Sequence, residues 1–120
     1  MKPVAVEGMV IEYSVGETIA SASEVLGPAS LTVNVDENGV YAGNLAITVT
    51  GATDGSGASA GTGAGFFVPS SSYCAADGEK LLLEGDTATI QVEGTKSGEP
   101  FSWTLTAKVK SAGQSVVMAE

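Results

Sequence analysis

Phe101-Ser102-Trp103-Thr104-Leu105-Thr106-Ala107-Lys108-Val109 is the stretch that decides the fold class of this chain. Apolar side chains at Phe101, Trp103, Leu105, Ala107 and Val109 alternate with Ser102, Thr104, Thr106 and Lys108. A period of two places the two sets on opposite faces of a strand, one against a core and one in water. On a helix the same apolar residues would be spread around the circumference. The chain here is a strand.

The pattern recurs outward from this stretch. Leu31, Val33 and Val35 alternate before Asp36-Glu37-Asn38-Gly39, and Leu45, Ile47 and Val49 alternate after it. Asn38-Gly39 is a hairpin signal, because both residues tolerate positive φ. A second hairpin is expected at Ala76-Asp77-Gly78, joining residues 66–74 to 79–84, and a third at Gly85-Asp86, leading into 87–93. Residues 4–13 read as an N-terminal strand and 115–118 as a short terminal one. Residues 17–26 alone can hold a helical turn, with Ile19, Ala22, Val25 and Leu26 on one face. The expectation is an all-β protein of antiparallel hairpins with about seven to nine short strands and little helix. They would form a small β-sandwich or a β-rich cone.

Residues 51–65 contain only Gly, Ala, Ser, Thr and one Asp. Such composition reads as a flexible Gly-rich loop, set inside a single domain spanning residues 1–120. No internal repeat is evident.

Charge narrows the function. Five Lys plus Arg against fourteen Asp plus Glu give a net charge of −9. All the cations are lysines (Lys2, Lys80, Lys96, Lys108 and Lys110), and there is no Arg. Nucleic-acid grooves neutralise phosphate with clustered Lys and Arg, so no nucleic-acid partner is expected. Anionic membrane surfaces are disfavoured for the same reason. Glu7 and Gly8 interrupt the N-terminal apolar residues, so no signal peptide is seen. No window has the ~20 apolar residues of a membrane anchor. The lone Cys74 cannot form an internal disulfide and reads as a small core residue.

Catalytic chemistry is hard to assemble from these residues. Histidine is absent, which removes the commonest general base, nucleophile partner and metal ligand. The Gly-rich stretch has no following Gly-Lys-Ser/Thr, and Ser70-Ser71-Ser72 lacks the glycines of a nucleophile elbow. Asp54 with Ser56, or Asp36 with Asn38, offers oxygens to calcium, but neither run matches an EF-hand. Solvated charge is the simpler reading of the carboxylates, and Phe66, Phe67, Phe101 and Trp103 read as core. No enzyme activity, cofactor or metal is expected.

Two runs resemble PAAR-like proteins, which sharpen the spikes of type VI secretion systems and related phage tails. Asp77-Gly78-Glu79-Lys80-Leu81-Leu82-Leu83-Glu84-Gly85-Asp86 is similar to the family's hairpin of a short strand between two tight turns. Gly8-Met9-Val10-Ile11-Glu12-Tyr13-Ser14-Val15-Gly16 resembles the N-terminal run of a PAAR-like subfamily, with Gly8, Ile11, Ser14 and Gly16 in register. Lys80-Leu81-Leu82-Leu83 stands where the family carries Pro-Ala-Ala-Arg, and Tyr13 where the subfamily carries Cys. The family's apical metal site uses His and Cys, so the resemblance implies a metal-free variant.

That resemblance implies a non-enzymatic structural component of a phage tail, baseplate or injection spike, made in the cytoplasm and working through protein contacts. Partners would be a trimeric spike or other structural subunits, with a homo-oligomer as a further form. Candidate architectural residues are Gly8, Gly16, Asn38, Gly39, Asp77, Gly78, Gly85 and Asp86. The candidate interface is Phe66, Phe67 and Val68 with Leu81, Leu82 and Leu83. A three-residue apolar run in a strand puts side chains on both faces, so each must be buried within the domain or under a partner. The alternative is an immunoglobulin-like β-sandwich binding module of a surface or virion protein.

Overall fold

The computed structural model describes residues 2–30, 33–35, 37–53, 61–71, 75–76, 79–96, 98–114 and 118–119. None of these is helical. In chain order the strands are β1 (Lys2–Pro3), β2 (Val10–Val15), β3 (Thr18–Ala20), β4 (Ser23–Leu26), β5 (Asn34–Val35), β6 (Asn38–Gly39) and β7 (Leu45–Ala52). They continue with β8 (Gly61–Phe67), β9 (Ala75–Ala76), β10 (Glu79–Lys80), β11 (Thr87–Lys96), β12 (Glu99–Ser111) and β13 (Met118–Ala119).

Seven strands form one antiparallel sheet in the order β3-β2-β12-β11-β8-β7-β4, curled into a half-barrel. The longest ladder is β11 with β12, in register from Thr87↔Lys108 to Lys96↔Glu99. The alternation read from the sequence holds over residues 103–109: Trp103, Leu105, Ala107 and Val109 are buried, and Lys108 and Thr104 are exposed. Phe101, expected in the core, is exposed and stacks on Trp103. The inward residues of β7, β11 and β12 pack with Tyr13 and Phe67 in one core.

The two edge strands of the sheet, β3 and β4, are joined only by Ser21-Ala22. A chain advances at most ~3.6 Å per residue, so this link holds the two edges within about 11 Å of each other. The sheet must curl until its rims meet there. Residues 18–27 act as one bent strand, paired first with β2 through Tyr13↔Ala20 and then with β7 through Leu26↔Ile47.

Glycines make the curl possible. Gly61, Gly63 and Gly65 lie on the inner side of β8, opposite Ala52, Val49 and Ile47 of β7. A Cβ built on Gly63 would stand 2.4 Å from the carbonyl oxygen of Gln91, and one on Gly65 2.5 Å from that of Thr89. The backbone of β11 closes over β8 more tightly than any side chain permits.

Several expectations are corrected. Residues 51–65 are not one flexible loop: Gly51 and Ala52 end β7, and residues 61–65 are strand. Residues 54–60, with Asp54 and Ser56, lie outside the described residues, as do Asp36, Cys74, Asp77, Gly78 and residues 115–117. Residues 17–26 do not use their capacity for a helical turn: Thr18–Ala20 and Ser23–Leu26 are strand, because β2 and β7 take up their backbone groups. The strand expected over 4–13 is broken at Gly8, where φ is +95°. Leu45, Ile47 and Val49 lie in β7, which pairs with β4 and β8 and not with Asn34–Val35. The hairpin here is the short β5–β6 pair, turned by Glu37 at φ 71°. Asn38 and Gly39 therefore sit in the returning strand rather than in the turn.

Candidate functional site

Three short apolar segments that the sheet leaves out meet at one end of the half-barrel: Val4-Ala5-Val6, Val40-Tyr41-Ala42 and Leu81-Leu82-Leu83. Their backbones form a closed ring. The Ala5 amide donates to the Leu82 carbonyl at 2.8 Å, Leu82 donates to Tyr41 at 2.9 Å, and Tyr41 donates to Ala5 at 2.9 Å. A second set closes the cycle in the opposite sense, two residues out. Glu7 donates to Gly39 at 3.0 Å, Gly43 to Lys80 at 2.8 Å and Glu84 to Pro3 at 2.9 Å. Antiparallel bridges Val6↔Val40, Ala42↔Leu81 and Val4↔Leu83 mark the corners. In each case the residue two beyond the centre of one segment donates to the residue two before the centre of the next. The collar has local three-fold symmetry in a single chain.

The alternation within each segment explains the apolar triplets. The central residues Ala5, Tyr41 and Leu82 belong to the main core, whereas Val4, Val6, Val40, Leu81 and Leu83 form a second cluster with Ala42 and Val35 against it. Both faces of every triplet are thus covered within the domain. Burying a Leu or Val side chain is worth roughly 1.5–3 kcal/mol, so the collar is a firm element.

Two corners leave the collar by the same turn. The Met9 amide donates to the Val6 carbonyl and the Asp86 amide to the Leu83 carbonyl, both at 3.0 Å. Gly8 and Gly85 occupy the same place in these turns and share φ +95°, a value that suits glycine alone. Near the third corner Gly43 has φ +70°. Asp86, 6% exposed, reinforces the second turn. One of its carboxylate oxygens accepts from the Leu83 amide at 2.8 Å and from the Ser70 amide at 3.1 Å, and the other accepts from the Ser70 hydroxyl. It ties the chain after β8 to the collar.

These contacts revise the candidate residues. Gly8 and Gly85 sit in the two turns that leave the collar, and Asp86 accepts from the Leu83 amide in the second. Gly16, at φ +60°, turns β2 into β3. Gly39 is needed for space, since a Cβ there would lie 2.5 Å from the Ser30 carbonyl oxygen. Of the expected interface, Phe67, Leu81, Leu82 and Leu83 are buried within the domain, because the collar and the barrel cover both faces of each run. Phe66 and Val68 remain, 58% and 65% exposed. Phe66 shares the outer face of β7 and β8 with Ala46, Thr48, Thr50, Thr62 and Ala64, a region without charge. Val68 borders an open cleft of about 740 Å³ at the collar, lined also by Ala42, Gly43, Asn44, Pro69, Glu79 and Lys80.

Sequence reading missed the collar and its internal repetition. A signal was present: Val4-Ala5-Val6-Glu7-Gly8 and Leu81-Leu82-Leu83-Glu84-Gly85 share an apolar triplet followed by Glu-Gly. The third copy, with Gly43 in place of the Glu, hides it.

Elsewhere, the side chains of Tyr13 and Trp103 carry buried polar atoms with no hydrogen-bond partner among the described residues. Burial, and then the nearby Glu24 carboxylate, push the Tyr13 phenol above its ordinary range. Burial followed by Glu7 raises that of Tyr41. Among the described residues no three Asp, Glu or Cys side chains converge to hold a metal. The chain matches no family model, no curated protein and no solved structure.

Proposed function

We propose that this chain is a non-enzymatic structural subunit that seats its collar on the end of a three-fold symmetric protein, as a PAAR-like component of a phage tail, baseplate or injection spike. The collar's ring of hydrogen bonds carries the reading. One chain facing a homotrimer meets three identical surfaces, and an asymmetric surface can match only one of them well. Three equivalent segments around a local axis remove that mismatch. The two Gly-rich runs that resemble the family contribute to the collar and its turns, which adds support. So do the exposed Val68 beside the collar and a fold whose backbone groups are taken up in short, tightly tied segments. An immunoglobulin-like module calls for two sheets packed face to face. The continuous ladder from β3 to β4 favours the first reading.

The test is stoichiometry. The chain is co-expressed with the proteins encoded beside its gene, and complexes are weighed by light scattering after size exclusion. The expected result is one copy of this chain on three of a partner, weakened by Val68→Glu. A one-to-one complex, or a free monomer with every neighbour, overturns the reading.

A further inference from the structure

The half-barrel is not closed all the way along its rim. Val15 and Thr18 pair across a two-residue turn, and Tyr13 pairs with Ala20, so the backbone groups of Tyr13 and Val15 point toward β3. The same alternation points those of Ile11 to that side, where no strand residue opposes them among the described residues. On the other rim, Ser21 exchanges hydrogen bonds with Thr53, and the Gly27 amide donates to Ala46. Residues 21, 23, 25 and 27 thus face β7, and Ala22, Glu24 and Leu26 turn their amides and carbonyls the opposite way. Two strand edges with open backbone groups diverge from the Ser21-Ala22 link and face a common notch.

A recess of about 360 Å³ lies at this place, lined by Val10, Ile11, Tyr13, Ala22 and Glu24 among others. Tyr13 is 6% exposed, and its hydroxyl has no hydrogen-bond partner among the described residues. Glu24 is exposed. Glu12 and Lys110 also line the recess and pair with each other at 3.8 Å, and Glu24 has no ion-pair partner among the described residues. Unpaired edges are a template for another strand, and a carboxylate on an acidic chain selects a basic one.

We propose that the notch between β2 and β4 accepts an extended basic segment of a partner protein, which pairs with the open edges, sets a Lys or Arg against Glu24 and completes the barrel. This goes beyond the collar reading and uses a different surface, so either can fail alone.

The test needs only the isolated chain. Hydrogen exchange is followed by NMR, with an acetylated hexapeptide alternating valine and lysine as the probe. In the free chain the amides of Ile11, Ala22, Glu24 and Leu26 should exchange without protection. Excess probe should slow at least Ala22 and Glu24 by about tenfold. Its counterpart with glutamate for lysine should not, and Glu24→Lys should abolish the effect. Protection of these amides in the free chain overturns the proposal, because the edges would already be paired. So does a probe that slows none of them, or one that acts equally well with glutamate.

Discussion

Gly63 and the carbonyl of Gln91 lie so close that a Cβ on the glycine would stand 2.4 Å from the oxygen. The contact is backbone against backbone, so no rotamer change relieves it. The strand would have to move, and the curl with it.

Gly63→Ala should therefore destabilise the fold by about 3 kcal/mol, the upper range for overpacking a core. Gly65→Ala should cost a similar amount. Thr62→Ala, on the exposed face between β7 and β11, should stay within about 0.5 kcal/mol. Urea midpoints of the three variants check this, and equal midpoints would mean that the glycines do not set the curl.

Phe66 and Phe67 are neighbours with opposite surroundings, one largely exposed and the other fully buried. Phe67→Ala should cost about 3–5 kcal/mol, as cavity formation in a core does. Phe66→Ala should leave stability within about 0.5 kcal/mol, so any loss of partner binding in that variant is a surface effect. Thermal melts of the two proteins make the comparison.

Asp86 offers a third contrast. Asp86→Ala leaves the Leu83 and Ser70 amides without their acceptor and should cost about 3 kcal/mol. Asp86→Asn keeps one oxygen for the Leu83 amide and should cost about 1 kcal/mol. Hydrogen exchange at Leu83 and Ser70 should quicken in the alanine variant before exchange within β12 does.

The phenol of Tyr13 gives the fold a sensitivity to alkali. Its ordinary value is 10.0, and burial and then Glu24 raise it in the folded protein. Below the ordinary value both states hold the proton and no stability is lost. Above it the unfolded chain gives up the proton first, so stability falls as pH rises toward the folded value. The drop in urea midpoint between about pH 8 and pH 11 should be smaller in Tyr13→Phe. At neutral pH that variant should match the parent within about 1 kcal/mol, the size of a single hydrogen bond.

What could be read from the sequence was local. The strand over β12 announced itself because Trp103, Leu105, Ala107 and Val109 all carry side chains into one core, and periodicity records that directly. The strand over β8 was invisible for the opposite reason. Gly61, Gly63 and Gly65 face inward and have no side chain to record the period, so a core strand looked like a linker. The turn at Gly85 was legible from residue type, whereas the one at Gly8 lay inside an expected strand. Their equivalence was not legible, because the hydrogen bonds that make it join residues 5, 41 and 82, far apart in the chain. The exposed positions of Phe66 and Val68 were half-legible: the apolar run predicted two buried or covered faces, and only the register shows which residue lies on which.

The pairing of Tyr13 with Ala107 has a consequence for biosynthesis. β2 pairs early with β3 on one side but finds its other neighbour only in β12, with most of the sheet emerging between them. Until then the side of β2 away from β3 waits in water, and the rims joined at Ser21-Ala22 have nothing to close upon. Folding dominated by such distant partners is slow, in the millisecond-to-second range of all-β proteins. A nascent chain stalled before residue 107 should consequently stay open along the β2 and β11 edges and be cut readily there by protease, then become resistant as β12 arrives.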